Sequence, residues 1–266
     1  MANVLLPLPD KDFDVTEVAV PWKVLTRLGH TVVFATEKGA NAPAADPRLL
    51  TGVLFGKLGA ADEPKRWYDE MFTDHAYRRP LRWREVDPAA YDGLILPGGH
   101  APGMRQYLGS TELQAKVSAF WSLRRPIGAI CHGVLILARS IDPYTGKSVL
   151  FGRRTTSLTK QMERTAYWLT AWKLGRYYRT YPEYVEDEVR GALRNGEQFV
   201  RGPRIGTGRG TDTNDEQAFV VEDGSYVSAR WPGDAYLFAK RFAALLPSLP
   251  ALPPLPSGGG DIETEG

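Results

Sequence analysis

The chain of 266 residues is poor in the residues that build disulfides and metal sites. Its one cysteine, Cys131, excludes an intramolecular disulfide and a zinc site of several thiolates, and a chain without disulfides favours a cytoplasmic location. The four histidines show neither HExxH nor HxxxH spacing: His30, His75, His100 and His132. The sequence therefore predicts no metal site.

Long apolar runs and an excess of charge are also missing. No stretch approaches the roughly 18 apolar residues of a membrane helix, and the segment MANVLLPLPDKDFD lacks the basic region of a signal peptide. The formal net charge of +2 gives no electrostatic reason to expect nucleic acid or membrane as a partner. We expect a small-molecule substrate instead.

What the sequence does have is an alternation of apolar strands and amphipathic helices. Residues 2–8 predict a buried strand, a helix follows and ends at Gly29, and residues 30–36 predict a second strand. Such a βαβ unit implies a parallel sheet. Further strands are predicted over 91–99, 126–133 and 151–158, a hairpin over 217–230, and helices over 65–78, 111–123, 161–194 and 232–246. The pattern predicts an α/β fold with a doubly wound, mostly parallel sheet and helices on both faces.

The domain organisation follows from composition. We expect residues 1–247 to form a single domain, with extra helices and a loop inserted over 159–216. The tail 248–266 is rich in proline, then glycine, then acid, which predicts a mobile end outside the fold. The glycine-rich stretch 201–211 lacks the lysine that ends a phosphate-binding loop, so we interpret it as an ordinary loop.

Cys131 lies where the apolar strand IGAI meets the start of a helix. A turn of this kind presents its side chain at the carboxyl edge of a parallel sheet, where α/β proteins carry their sites. The positive end of the helix dipole favours the thiolate, which is the reactive form of cysteine. We predict that Cys131 is a nucleophile, and the alternative is a buried structural cysteine.

Three neighbouring features extend this prediction. His132 follows the cysteine, so its backbone N–H is a candidate oxyanion donor and its ring a candidate base. Gly98 and Gly99, in a turn after a strand, are candidates for a second N–H donor. Glu17 lies early in the first crossover, where a protonated carboxyl would donate a hydrogen bond to the thiolate. The alternative for each is an ordinary structural residue of a turn or a helix surface.

Four segments together resemble the ThiJ/PfpI superfamily, which has the flavodoxin-like fold of class I glutamine amidotransferases. They are VTEVAVP (15–21), LPGGHAPG (96–103), AICHG (129–133) and YVSARWPGDA (226–235). The resemblance covers about residues 1–247 and is greatest to the glyoxalase III and heat-shock chaperone branch, in which histidine directly follows the cysteine. It implies Cys131 as nucleophile, His132 as base, Glu17 as support for the thiolate, and oxyanion donors at Gly99 and the His132 amide.

The resemblance also implies Glu163, 32 positions after the cysteine, as the acid that orients His132. Glu186 and Asp187 are alternatives if the inserted helices fold back over the site. In one departure from the glyoxalase members, Val134 stands where they have proline after cysteine, histidine and glycine.

The function implied is a cofactor-independent lyase of the glyoxalase III type, which converts methylglyoxal to lactate. One alternative is a cysteine amidase or hydratase of specialised metabolism, because the aromatic stretch 167–184 suggests a roomier pocket. Another is a stress-response chaperone or redox sensor, with an exposed thiol of low pKa at Cys131. We expect a cytoplasmic homodimer, since dimers are frequent among relatives.

Overall fold

The computed structural model describes residues 1–53, 58–179, 181–203 and 208–247. The strands in these ranges are β1 (Asn3–Pro7), β2 (Lys11–Phe13), β3 (Thr31–Thr36), β4 (Ala44–Ala45), β5 (Leu81–Arg82), β6 (Gly93–Leu96), β7 (Ile127–Ile130), β8 (Val220–Asp223) and β9 (Tyr226–Ala229). The helices are α1 (Val15–Arg27), α2 (Pro47–Thr51), α3 (Asp62–Met71), α4 (His75–Arg78), α5 (Met104–Leu108), α6 (Thr111–Ser122), α7 (Val134–Arg139), α8 (Lys160–Leu174), α9 (Val185–Ala192) and α10 (Ala235–Leu245).

Seven strands form one sheet in the order β5-β3-β1-β6-β7-β9-β8. Every neighbouring pair is parallel except the hairpin of β8 and β9. The chain starts in the middle of the sheet at β1, runs outward through β3, and then returns to β6 on the other side. The carboxyl ends of β1, β6 and β7 therefore meet where the winding direction reverses, and that crevice is where open α/β sheets bind ligands. Strands β2 and β4 form a separate parallel pair.

Helices cover both faces of the sheet, as adjacent residues of β6 show. Successive side chains of a strand point to opposite faces. A Cβ on Gly93 would lie 2.9 Å from the ring of Phe242 in α10, so that face packs against α10. The next residue, Leu94, lines a small apolar cavity with Leu113 and Phe120 of α6 on the other face. The predicted doubly wound fold is confirmed.

The strand predicted over 151–158 is wrong. This segment forms turns, with a single bridge between Thr155 and Phe199. Its threonines contact β9, and both edges of that strand are already paired, with β7 on one side and β8 on the other. Side chains take the place of a ladder: the Thr155 hydroxyl lies 2.8 Å from Tyr226 Oη, and the Thr156 N–H donates to Ser228 at 3.0 Å.

Other predictions concern the inserted region and the end of the chain. The helical stretch 161–194 is confirmed as two helices, α8 and α9, on either side of Pro182. The predicted tail 248–266 and part of the glycine-rich stretch, residues 204–207, lie outside the described residues, and the single-domain boundaries stay a prediction. Among the residues that are described, no helix is both long and apolar enough to cross a bilayer.

Candidate active site

The turn after β7 holds Cys131 in an unusual backbone conformation. Its φ is +58°, in the left-handed region, which costs a residue other than glycine about 1–2 kcal/mol. Such strain persists only where the surroundings hold the backbone in place. Gly133 allows the turn to pack against the end of β6, because a Cβ on this residue would lie only 2.1 Å from the Leu96 carbonyl oxygen. The turn therefore packs directly on the neighbouring strand and fixes the thiol at the carboxyl edge of the sheet.

Cys131 and His132 form a buried pair. The distance from Sγ to Nδ1 is 3.5 Å, and the two residues are 0% and 2% exposed. Burial lowers the pKa of His132 well below its ordinary value, and the nearby His100 ring adds to this effect. Burial also raises the pKa of the Cys131 thiol well above its ordinary value, and the Glu17 carboxyl raises it further. At neutral pH the pair is therefore a thiol beside a neutral imidazole that can accept its proton.

This protonation state corrects the expectation of an exposed thiol of low pKa. The backbone N–H of His132 does hydrogen-bond to Sγ and lowers the thiol pKa, but burial outweighs it. The helix that follows the turn, α7, has only six residues. The activation available to Cys131 is thus proton removal by its neighbour during the reaction.

Glu17 approaches the thiol from α1. Its Oε2 accepts the Gly98 N–H at 2.7 Å, while its Oε1 is buried and has no hydrogen bond of good geometry within the described ranges. Burial raises the pKa of Glu17 well above its ordinary value, and the charge of Asp14 raises it further; the Cys131 thiol interacts with the same carboxyl. The structure brings Glu17 to the nucleophile turn, and its role as a donor that supports the thiolate stays a prediction.

Gly98 lies between the parts of this site. A Cβ there would be 2.6 Å from the His132 nitrogen, 2.9 Å from Glu17 Oε2 and 3.0 Å from the Cys131 Cβ, so no side chain fits. Gly99 is also tightly packed, since a Cβ on it would lie 3.0 Å from the Asp14 nitrogen. The structure brings both glycines to the nucleophile turn, and the oxyanion role of Gly99 stays a prediction.

The chain is similar to known proteins in sequence and in fold. A sequence profile described as "ThiJ/PfpI family-like" matches residues 8–203. The chain belongs to the ThiJ/PfpI family. An uncharacterized protein from Schizosaccharomyces pombe is 29% identical over 92% of this chain and 84% of its own length. A deglycase from Pyrococcus abyssi is 27% identical over 91% of this chain and 98% of its own length. The crystal structure of glyoxalase III from Candida albicans has the same fold, with a TM-score of 0.67, 21% identity, and coverage of 92% of this chain and 98% of that one.

In this ThiJ/PfpI chain the implied third acid, Glu163, has two partners. Its Oε1 accepts from Arg179 Nη1 at 2.5 Å, and its Oε2 accepts the Val185 N–H at 3.0 Å. His132 is not among the hydrogen-bond partners recorded for this carboxylate in the described chain, so its role as the orienting acid stays a prediction. Arg179 itself lies close enough to lower the pKa of His132. Glu163 therefore neutralises a cation beside the ring.

The two alternative acids of this ThiJ/PfpI chain, Glu186 and Asp187, bind residues outside the nucleophile turn. Glu186 Oε2 accepts the Lys160 N–H at 3.0 Å, and the other oxygen of the same carboxylate pairs with Arg201 at 2.6 Å. Asp187 pairs with the Lys160 ammonium at 2.6 Å. Both acids thus fasten α9 to neighbouring segments.

The sequence predicts a pocket shaped by the aromatic stretch 167–184, but it does not single out the two rings that pack over this ThiJ/PfpI site. The His100 ring packs edge-on against His132, with centroids 4.7 Å apart, and Tyr178 packs against His100 at 5.9 Å. Tyr178 is buried and donates to Asp46 at 3.0 Å, which ties the segment between α8 and α9 to the loop before α2. The signal for His100 was its place directly after Gly99 at a strand end, whereas no local pattern marks Tyr178.

Proposed function

We propose that the protein is a cofactor-independent glyoxalase that converts an α-oxoaldehyde such as methylglyoxal into a 2-hydroxy acid such as lactate. The observation that carries the proposal is the buried thiol of Cys131, whose Sγ lies 3.5 Å from Nδ1 of the buried His132. Relatives of the chain are named deglycase and glyoxalase 3, which supports enzymatic chemistry at this turn.

The first half of the reaction forms a covalent adduct. Sγ attacks the aldehyde carbon of methylglyoxal, a C–S bond forms, and the aldehyde C=O becomes an alkoxide. His132 takes the thiol proton, and the proton then moves to the alkoxide oxygen to give a neutral hemithioacetal. The backbone N–H of His132 stabilises the negative charge that develops on the former aldehyde oxygen. Such a hydrogen bond stabilises the charge more in a site without water than it would in solution. Once the thiolate forms, a protonated Glu17 would donate a hydrogen bond to it.

The second half moves a hydrogen between two carbons. His132 removes the proton from the former aldehyde carbon to give an enediol, and returns it to the adjacent carbon, so one carbon is oxidised and the other reduced. The product is a thioester of lactate. Water cleaves the C–S bond, lactate leaves, and Cys131 regains its proton. Such acid–base assistance supplies a rate factor of about 10²–10⁴.

The enclosed site favours a small substrate over the amide or nitrile of the alternative hypothesis. The aromatic stretch 167–184 would give a roomier pocket if its rings lined an open groove. Instead Tyr178 is buried, hydrogen-bonded to Asp46 and packed edge-on against His100. A three-carbon aldehyde suits a site of this kind.

The test is lactate formation from methylglyoxal by the purified protein, with mass spectrometry of Cys131 in parallel. We expect lactate from the wild type, none from Cys131→Ser, and a loss of about 10²–10⁴-fold in His132→Gln. His75→Ala is the matched control, because it removes an exposed histidine of α4 that is not part of the site. A wild type that is inactive on several α-oxoaldehydes overturns the proposal, whereas a stable adduct on Cys131 without lactate would point to deglycase, amide or nitrile chemistry.

One surface feature favours a second candidate, a chaperone that holds unfolded proteins. The helix α8 exposes large apolar side chains: Trp168 is 69% exposed, Leu169 50% and Trp172 70%. Contiguous exposed apolar groups mark interaction surfaces. The assay is suppression of the heat aggregation of a client protein. We expect Trp168→Ala combined with Trp172→Ala to abolish suppression and Cys131→Ser to retain it, and the opposite pattern would reject this role.

A further inference from the structure

His100, Cys131 and His132 form a cluster of three potential metal ligands. One ligand atom from each residue can be chosen so that all three atoms lie within 4.8 Å of one another. The Sγ of Cys131 and the Nδ1 of His132 are 3.5 Å apart, and the two histidine rings stand at 73° with centroids 4.7 Å apart. The sequence predicted no metal site, because a search for short spacings does not find a ligand 31 positions from the others.

The sheet explains how these ligands meet. His100 follows β6 and Cys131 follows β7, and these strands are parallel neighbours with Leu96 beside Ala129. The segments that leave adjacent parallel strands start at the same edge. The cluster therefore follows from the fold and needs no rearrangement of the backbone to assemble.

Its dimensions match a tetrahedral zinc site. Zinc binds a thiolate sulfur at about 2.3 Å and an imidazole nitrogen at about 2.0–2.1 Å, so a sulfur and a nitrogen on the same ion lie about 3.6 Å apart. The measured distance from Sγ to Nδ1 is 3.5 Å. The distances from the His100 nitrogen to the other two ligand atoms are at most 4.8 Å. Side-chain shifts of about 1 Å would bring them to the values of a tetrahedral site. Three protein ligands leave the fourth position for water, as at zinc sites that stay open.

The surrounding charges permit a cation. The two guanidinium groups that lower the pKa of His132 are each paired with a carboxylate: Arg139 with Glu188 at 2.5 Å, and Arg179 with Glu163 at 2.5 Å. The groups that act electrostatically on Cys131 are the carboxyls of Glu17 and Asp14, and a carboxylate attracts a cation. Metal binding takes the neutral form of each imidazole and the thiolate form of the cysteine.

We propose that His100, Cys131 and His132 bind one Zn²⁺ ion, which occupies the nucleophile and reversibly inhibits the enzyme. Zinc forms a bond to Sγ and to one nitrogen of each ring, the thiol proton is released to solvent, and no electron is transferred. Thiolate and imidazole together select zinc over magnesium or calcium. The inhibition rests on the proposed glyoxalase function, whereas the binding does not.

The experiment uses the full chain freed of metal by a chelator and titrated with Co²⁺ as a spectroscopic probe. We expect one equivalent to bind with a thiolate-to-cobalt charge-transfer band in the near ultraviolet, and Zn²⁺ to displace it. The variant His100→Ala loses one ligand and should bind Co²⁺ at least about 10-fold more weakly. Removal of a group that only supports a ligand already weakens metal binding about 10-fold, so removal of a ligand should weaken it at least as much. His75→Ala should bind as the wild type does. A wild type without the charge-transfer band, or equal affinity in His100→Ala, overturns the proposal.

A second measurement needs no variant. Zn²⁺ should protect Cys131 of the wild type from alkylation, and a chelator should restore the reaction; alkylation at an unchanged rate would contradict metal binding at this thiol. If the wild type forms lactate, Zn²⁺ should stop it and the chelator should restore it, and activity that survives saturation with Zn²⁺ refutes the inhibition. If no lactate forms under any condition, the glyoxalase proposal fails while the spectra still decide the metal site.

Discussion

The buried carboxyl of Asp14 should make the protein less stable at neutral pH than at acid pH. Asp14 is 4% exposed and caps α1, with Oδ1 accepting the N–H groups of Thr16 at 2.8 Å and Glu17 at 3.3 Å. Burial raises its pKa from 3.8 to about 6, although the guanidinium of Arg209 opposes this. Because the folded pKa lies above the unfolded one, the contribution to stability is complete below pH 3.8 and is lost as the pH rises through about 6. That interval corresponds to about 3 kcal/mol, at about 1.4 kcal/mol per pH unit.

The variant Asp14→Asn removes the ionisable group and keeps a side-chain oxygen for the cap, since asparagine caps helices as well as aspartate does. We expect it to be more stable than the wild type by up to about 3 kcal/mol above pH 6, and the difference to shrink as the pH falls toward 3.8. Urea unfolding at a series of pH values measures this. Asp87→Asn is the control, because it makes the same exchange at an exposed cap.

The same substitution should change the nucleophile. The charge of Asp14 is one cause of the raised pKa of Cys131, so Asp14→Asn should lower the thiol pKa and speed alkylation of Cys131 at neutral pH. Parallel stability profiles for wild type and variant from pH 4 to 8, or a variant less stable at pH 7, would refute the reasoning about burial.

Three further changes test the site and its supports. Gly98→Ala places a Cβ 2.6 Å from the His132 nitrogen, so lactate formation should fall at least about 100-fold with the far-ultraviolet circular dichroism retained; full activity would contradict this geometry. Asp234→Ala leaves Arg230 charged and buried after losing contacts of 2.9 Å, which should lower the free energy of unfolding by about 3–5 kcal/mol in urea; a loss below about 1 kcal/mol would count against it. Tyr178→Phe removes the hydrogen bond to the loop before α2, at a cost of about 1 kcal/mol, and should speed alkylation of the nucleophile; an unchanged rate would show that this hydrogen bond does not hold the ring over the site.

Local sequence was enough to predict the elements whose signal is local. The first strand, helix and strand follow from apolar spacing, and the hairpin β8–β9 from the sequence signal Asp223–Gly224; the structure has all of them, with Gly224 and Ser225 as the two turn residues. The strand prediction for 151–158 failed because its threonines have strand propensity, while in the structure Thr155 and Thr156 bond to side chains of β9 instead of joining a ladder. Propensity describes a residue, whereas strand pairing depends on which partners the tertiary structure brings beside it.

The sequence by itself determined the fold class, the place of Cys131 on a turn between strand and helix, and its contact with His132, because these depend on neighbouring residues and on apolar periodicity. The tertiary structure alone decided three other things. It set the protonation of the pair, since burial raises one pKa and lowers the other. It brought His100 to Cys131, because the carboxyl ends of β6 and β7 meet at one edge. It also joined Glu163 to Arg179, since a long-range ion pair depends on how the segment after α8 packs over the sheet.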